Sequence, residues 1–147
     1  TLSGDVMQKH RKMGVDYGDK RIGIALSDLL CIISSPYEVY QNRGEEDALK
    51  HLDKIIKEND VDEVAFGLPL NMDGTEGERA KLHRAFGEKL ENYAGVKVYF
   101  IDERLTSAEA EDILISSGVR REKRKELIDK IAAQIILQTF INLKKGN

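Results

Sequence analysis

The sequence contains one carboxylate at a position where a carboxylate is costly to bury. Asp16 interrupts the apolar stretch 13–26, whose alternating pattern predicts β-structure. Desolvating an unpaired carboxylate costs several kcal/mol, so Asp16 needs a partner such as Lys20, Arg21 or a metal ion. The alternative is that Asp16 caps the following turn by accepting a backbone N–H. Asp16 is therefore the first candidate for chemistry.

A second candidate comes from the adjacent acids Asp102 and Glu103. They end the predicted strand VKVYFI, at the carboxyl edge where sheets with parallel strands place ligands. Neighbouring residues on a strand face opposite ways, so we expect only one of them to join Asp16, and Glu103 has the longer reach. The alternative is that either acid pairs with Arg104 or begins the next helix.

Asp129 is the third candidate, and helical spacing supports it. Counting forward by three and four residues reaches an apolar face that includes Ala132 and Ala133. Two alanines would let this helix approach a sheet closely and bring the acid toward Asp16. An exposed ion pair with Lys125 explains the spacing about equally well.

Three carboxylates that meet in one place have a specific use. Hard divalent cations such as Mg²⁺ and Mn²⁺ take oxygen ligands, and two such ions roughly 3.5 to 4 Å apart can activate water and stabilise the leaving oxygen of a phosphodiester. The 3 histidines are scattered without metal-ligand spacing, and His83 is expected to be a surface or half-buried helix residue. We therefore expect Asp16, Glu103 and Asp129 to be both metal ligands and catalytic residues.

The composition is that of one small globular domain. The chain has 147 residues, 41% hydrophobic and 33% charged, against a typical domain of roughly 100 to 200 residues. With 1 cysteine, no apolar run of ~18 residues and a polar start, it is expected to be cytoplasmic, without a disulfide, membrane span or signal peptide. The net charge of −3 disfavours a general DNA coat. Residues 1–12 form a polar tail or an expression remnant, and residues 13–147 form the domain.

Periodicity predicts the elements that position the acids. Alternation indicates strands, three- and four-residue spacing indicates helices, and glycine or proline marks the ends. The predicted elements are two strands joined by a tight turn within 13–26, a third strand between 31 and 40, a helix over 45–59, a buried strand over 64–68, a helix over 78–93, a strand over 96–101 and helices over 106–118 and 122–143.

Two of these predictions depend on single residues. Pro36 makes the third strand either an edge or a break. Thr106 and Glu109 have capping-box spacing, so the next helix should begin at Thr106 and end near Gly118. The order predicts an α/β, ribonuclease H-like fold: a mixed five-stranded sheet, an antiparallel meander followed by parallel strands, with helices on both faces.

Four blocks of the sequence resemble one family. VDYGDKRIGIALSD, VAFGLPLNMDGTEGERA, IDERLTSAEA and DKIAAQIILQTF are similar to the signature blocks of the YqgF, or RuvX, family of Holliday-junction-resolvase-like nucleases, bacterial proteins implicated in pre-16S ribosomal RNA maturation. The resemblance implies a ribonuclease H-like fold, Mg²⁺- or Mn²⁺-dependent hydrolysis, and structured nucleic acid as substrate. That substrate would be pre-16S rRNA in ribosomal particles or branched DNA. Junction resolvases usually need two active sites, so a homodimer is a further expectation.

By position in these motifs, Asp16, Glu103 and Asp129 match the family's acidic site. In the related junction resolvases, the strand corresponding to VAFGL carries an acid, whereas here the strand ends at Gly67 and Leu68. This departure leaves fewer metal ligands on the central strand, so Glu103 becomes a more important candidate ligand.

The remaining motif residues suggest contacts with nucleic acid. Gly18 permits close approach of a phosphate, and neighbouring cations can neutralise its charge. The loop after VAFGL could line the substrate groove or be an ordinary turn. Arg104 could hold a phosphate or pair with a neighbouring acid. The basic run 120–125 could bind the nucleic-acid backbone or be a solvated helix start. The candidates for binding nucleic acid are Gly18, Lys20, Arg21, Asn71, Asp73, Arg79, Arg104, Arg120, Arg121 and Arg124.

Two other functions remain open. VDYGDKRIG also resembles the first phosphate loop of the actin and sugar-kinase superfamily, which would imply ATP binding, although those enzymes close two domains around the nucleotide and 147 residues supply one. The missing acid on the VAFGL strand is compatible with a noncatalytic RNA-binding factor for ribosome assembly.

Overall fold

The structure, a computed structural model, describes residues 9–145, apart from the side chains at 105, 107–111, 125, 126, 129 and 130. Within this range the elements are β1 (Arg11–Tyr17), β2 (Arg21–Ser27), β3 (Ser34–Gln41), α1 (Glu45–Glu58), β4 (Val61–Leu68), α2 (Glu78–Ala94), β5 (Lys97–Asp102), α3 (Glu103–Ser116) and α4 (Arg121–Lys145). The predicted elements are confirmed in type and order. β1 takes in Arg11 and Lys12 of the predicted tail, and residues 1–8 of that tail lie outside the described residues.

The five strands form a mixed sheet with the order β3-β2-β1-β4-β5. β1, β2 and β3 are antiparallel neighbours, whereas β4 and β5 run parallel to β1. This arrangement confirms the predicted α/β, ribonuclease H-like sheet. β3 is an edge strand, and its register with β2 shifts where Pro36 pairs with Ala25, because proline lacks the N–H that a ladder needs.

Helices cover both faces of this sheet. On one face, α1 and α2 bury apolar side chains against β1, β2 and β4, with Phe66 and Phe86 at the centre. On the other face, Ile136, Leu137 and Phe140 of α4 pack on the sheet. Within the described range, no helix combines the length and apolar content that a bilayer span requires.

α4 lies close to the middle of the sheet because β1 presents a glycine to it. A Cβ at Gly14 would stand 2.5 Å from the carbonyl oxygen of Ala133 and 2.7 Å from the Cβ of Leu137. Ala133 is itself fully buried. Of the two alanines predicted to allow close packing, Ala133 lies at this contact, whereas Ala132 is half-buried.

The start of α3 differs from the prediction. The helix begins at Glu103, directly after β5, and its N-cap is Asp102, which accepts the backbone N–H of Arg104 at 3.0 Å. Thr106 lies inside the helix and donates its hydroxyl to the carbonyl of Glu103 at 3.1 Å. The predicted start at Thr106 is therefore wrong, because an acid at the strand end caps the helix one turn earlier.

Candidate active site

Asp16 lies in the central strand of the sheet, near the carboxyl end of β1. It pairs with Gly23 of β2, and the preceding residue, Val15, pairs with Phe66 of β4. The turn after β1 is closed by the backbone itself, since the N–H of Gly18 donates to the carbonyl of Arg21 at 2.9 Å. The Gly18 N–H therefore does not need the Asp16 carboxylate as its acceptor, and Asp16 can bind another partner.

The partner of Asp16 is Glu103, and the two carboxyl groups share a hydrogen bond. Burial raises the pKa of Glu103 from 4.5 to about 9; the Asp16 carboxyl adds to the rise and Arg79 opposes it. Two carboxyl groups this close cannot both ionise cheaply, so in the absence of a cation the pair holds a proton near neutral pH. The structure therefore brings together two of the three predicted acids.

Asp102, the other acid of the pair at the end of β5, is engaged elsewhere. Its Oδ2 accepts from Nη2 of Arg104 at 2.6 Å, and this guanidinium lowers the pKa of Asp102. Arg104 also donates to the carbonyl of Met72 at 3.2 Å, which ties the β4–α2 loop to the start of α3. Of the two adjacent acids, Glu103 joins Asp16, and Arg104 is already paired with an acid.

A cleft of about 310 Å³ opens beside the Asp16–Glu103 pair. Lys20, Arg21 and Arg79 line it and are exposed to solvent, so three cations share the cleft with the two carboxyl groups. The other lining residues are Tyr17, Gly18, Gly23, Val39 and His83. Exposed cations next to half-buried acids can neutralise the charge of a phosphate backbone that approaches those acids.

His83 is a cleft residue that sequence reasoning missed. It is 3% exposed, which corrects the expected surface or half-buried position, and its ring packs edge-on against Tyr17 at 5.4 Å. Burial lowers the pKa of His83, and the charge of Arg79 lowers it further. Its three-residue spacing to Phe86, on the buried face of α2, was the available signal.

Asn71 and Asp73 hold the β4–α2 loop together. Asp73 Oδ1 accepts the hydroxyl of Thr75 at 2.6 Å and its backbone N–H at 3.0 Å, and these bonds lower the pKa of Asp73. The Asn71 side chain donates to the same hydroxyl at 3.0 Å, and Gly74 has a φ of 88°. The loop is a glycine turn, the alternative that the sequence left open, and neither Asn71 nor Asp73 is among the cleft-lining residues.

The basic run lies at the start of α4. Arg120 and Arg121 are exposed, and Arg124 is half-buried, with Nη1 at 3.5 Å from the carbonyl of Val119. None of the three is among the described residues that line the cleft.

Asp129 lies on α4 toward the same end of the sheet. α4 runs antiparallel to β4, since Lys144 pairs with Glu63 near the start of β4 at 2.6 Å, while Ile136 lies against Gly67 near its end. Asp129 precedes Ile136 by two turns, which places its backbone roughly 10 Å further toward the carboxyl edge of β4. Its side chain lies outside the described ones, so its part in the site stays a prediction.

The described residues of the site fit a divalent cation in their chemistry but supply only part of a ligand set. Among the side chains that the structure describes, no three His, Cys, Asp or Glu residues are close enough to hold one ion. Asp16 and Glu103 supply hard oxygen donors and carry a proton that a cation would replace. A third donor must come from elsewhere, and Asp129 is the predicted source.

A ribonuclease H-like sheet with paired acids at its centre is the arrangement expected of the nuclease family that the sequence resembles, and comparison with known proteins agrees. The family described as RuvX: Holliday junction resolvase matches residues 10–143. The chain is 46% identical over 137 residues to "Putative pre-16S rRNA nuclease" of Endomicrobium trichonymphae, covering 92% of this chain and 97% of that one. It is 44% identical over 135 residues to the protein of the same name from Carboxydothermus hydrogenoformans, covering 92% and 98%. The chain belongs to the RuvX, or YqgF, family, and both of these relatives are named as nucleases.

Solved structures agree on the fold. Thermus thermophilus RuvC in complex with a Holliday junction substrate superposes with a TM-score of 0.62 at 14% identity, covering 94% of this chain and 97% of that chain. The fowlpox virus Holliday junction resolvase gives a TM-score of 0.52 at 16% identity, covering 90% and 99%. At these identities the likeness shows the fold alone, and it is the predicted one.

Proposed function

We propose that this protein is a metal-dependent endonuclease that hydrolyses phosphodiester bonds of structured nucleic acid. The hydrogen-bonded carboxyl pair of Asp16 and Glu103, in a cleft rimmed by cations, carries the proposal. Burial and mutual repulsion make this pair unfavourable as two free anions, and a divalent cation offsets both effects. Mg²⁺ and Mn²⁺ are the expected ions, because both prefer oxygen ligands.

The proposed ligands and catalytic residues are Asp16, Glu103 and Asp129. When bound, the metal ions polarise the phosphodiester and lower the pKa of the attacking water. Asp16 is fixed by strands on both sides, and Glu103 is fixed at the first turn of a helix that follows β5 without a loop. The protein's contribution is to hold these oxygens in place before the substrate arrives.

The exposed cations of the cleft are the proposed contacts for the substrate backbone. Lys20 and Arg21 flank one wall, Arg79 lines the cleft from α2, and Gly18 lets a phosphate approach the turn. The basic run at the start of α4 and the β4–α2 loop with Asn71, Asp73 and Arg104 lie outside the cleft lining. They are proposed to contact more distant parts of a long substrate.

Pre-16S rRNA is the leading substrate, because the relatives that match over nearly their full length are named for it. Branched DNA is the other candidate, from the description of the family. This role would place the protein in the cytoplasm with ribosomal particles. A homodimer is proposed for symmetric junctions, and the mass of the particle in solution, by light scattering, tests it.

The decisive experiment is cleavage by matched variants. Wild type, Asp16→Asn and Asp53→Asn would be given end-labelled pre-16S rRNA leader and a four-way DNA junction, with Mg²⁺, Mn²⁺ or EDTA. We expect metal-dependent cleavage by wild type and by Asp53→Asn, which alters an exposed ion pair on α1. We expect none from Asp16→Asn. Cleavage that survives Asp16→Asn would reject the mechanism, and RNA retention without turnover by wild type would favour the noncatalytic assembly factor.

A further inference from the structure

Position 67 and the carboxyl group of Glu103 compete for one volume. Gly67 lies near the end of β4 and pairs with Ile101 of β5. A Cβ built on Gly67 would stand 2.6 Å from Oε1 of Glu103 and 2.7 Å from Cδ1 of Ile136. Cβ atoms in proteins essentially never come within 3.0 Å of a non-bonded heavy atom, so one of the two groups would have to move. A side chain at position 67 and the Glu103 carboxyl, as it stands, therefore exclude each other.

Backbone freedom does not explain this glycine. Phe66, Gly67 and Leu68 pair with β5 in continuous register, and Gly67 is not among the described glycines with positive φ. Glycine inside a strand is otherwise unfavourable, because it adds backbone entropy to the unfolded chain and packs no side chain. What glycine supplies at position 67 is space.

We propose that Gly67 is a positioning residue of the site, whose missing side chain is the space that lets Glu103 place its carboxyl beside Asp16. Residue 103 reaches this space from the β5–α3 junction, across the strand that carries residue 67. An aspartate at position 67 would put its carboxyl carbon one bond beyond a Cβ that already touches the Glu103 oxygen. Positions 67 and 103 are then alternative sources of a single carboxylate.

A swap of the carboxylate between the two positions tests this inference directly. The variants are Glu103→Ala, Gly67→Asp and Gly67→Asp/Glu103→Ala, and the readout is the Mn²⁺ dissociation constant by calorimetry. The metal readout rests on the proposed function. We expect each single variant to bind Mn²⁺ at least about tenfold more weakly, the scale of effects seen when a ligand's support is lost. The double variant should return to within about threefold of wild type.

Gly67→Asp is thus expected to weaken Mn²⁺ binding when Glu103 is present and to strengthen it when Glu103 is replaced by alanine. A purely structural role of Gly67 cannot produce this change of sign. If Gly67 mattered only for packing, the second substitution would add to the first or leave it unchanged. A double variant that binds Mn²⁺ no better than Glu103→Ala would overturn the inference.

A metal-free arm separates this inference from the proposed function. Gly67→Ala should lower the urea midpoint of unfolding in the presence of Glu103, and should lower it much less in a Glu103→Ala background. The clash with Ile136 is common to both backgrounds, so the difference reports on Glu103 alone. An equal loss in both backgrounds would overturn the inference, whether or not wild type binds Mn²⁺. Failure of wild type to bind Mn²⁺ would contradict only the proposed function.

Two further variants control for packing. Gly87→Ala places a Cβ 2.6 Å from the Phe100 ring on the opposite face of the sheet, so it imposes a similar clash away from the acids. We expect it to reduce stability but to leave the Mn²⁺ affinity of the folded protein unchanged. Gly67→Ala/Ile136→Val removes the Cδ1 contact, and it should still bind Mn²⁺ weakly. Wild-type affinity in this double variant would assign Gly67 to helix packing and overturn the inference.

Discussion

Replacing Glu103 with glutamine should make the metal-free protein more stable, by an amount that grows with pH. Burial and the Asp16 carboxyl raise the pKa of Glu103 from 4.5 to about 9 in the folded protein. Between these values the unfolded chain releases a proton that the folded protein keeps, so the stability of wild type falls as pH rises. Glutamine keeps the volume of glutamate but has no proton to lose.

The magnitude follows from the size of the pKa shift. Each pH unit above 4.5 costs about 1.4 kcal/mol, which gives about 4 kcal/mol at pH 7.5. Water at the open side of the cleft screens the charge, so we expect about half of this value. For a domain with roughly 5 to 15 kcal/mol of total stability, such a difference is readily measured.

The assay is urea unfolding of wild type and Glu103→Gln at pH 5, 6, 7 and 8 with EDTA present. The gap between the two unfolding free energies should be small at pH 5 and should widen steadily to pH 8. Glu58→Gln, at the exposed end of α1, controls for the loss of one negative charge. A gap that stays constant across this range would refute the reasoning, because it would mean that folding does not change the proton affinity of Glu103.

Three further outcomes follow from the structure. Mn²⁺ should raise the thermal midpoint of wild type more at pH 8 than at pH 6, because Mn²⁺ must displace the proton that the Asp16–Glu103 pair holds. Asp16→Asn should abolish this rise. An equal rise of the wild-type midpoint at both pH values would contradict the prediction. Lys20→Ala and Arg79→Ala should weaken RNA binding and flatten its salt dependence by about one unit of slope per lost phosphate contact, measured by fluorescence anisotropy, whereas Lys81→Ala, on α2 but outside the cleft lining, should not. Gly14→Ala should cost about 1 to 3 kcal/mol of stability by pushing α4 off the sheet, and an unchanged urea midpoint would show that the helix can move freely.

The sequence predicts the elements well because their periodicity is local. Apolar alternation in β1 and helical spacing in α1 depend only on which face each stretch buries. The predicted start of α3 at Thr106 is wrong because the Thr106–Glu109 spacing resembles a cap, whereas Asp102 at the end of β5 caps the helix first. Local spacing cannot rank two caps that compete for one helix.

The candidate site was predictable in its acids but not in its neighbours. Desolvation cost alone singles out Asp16, and strand-end position singles out the Asp102–Glu103 pair. The choice between these two depends on Arg104, which takes Asp102, and on the room above Gly67. The room above Gly67 depends on the pairing of β4 with β5, and the burial of His83 against Tyr17 depends on how α2 packs on the sheet, so local sequence patterns report neither.

Because β5 passes directly into α3, the number of residues at this junction fixes the direction of the Glu103 side chain. Asp102 is the last residue of the strand and Glu103 is the first of the helix, so no spacer can absorb a change in length. Inserting one residue there would turn the following side chain by about 100° around the helix axis, the rotation per residue of an α-helix. The carboxyl of Glu103 would then point away from Asp16 even though every original side chain was still present.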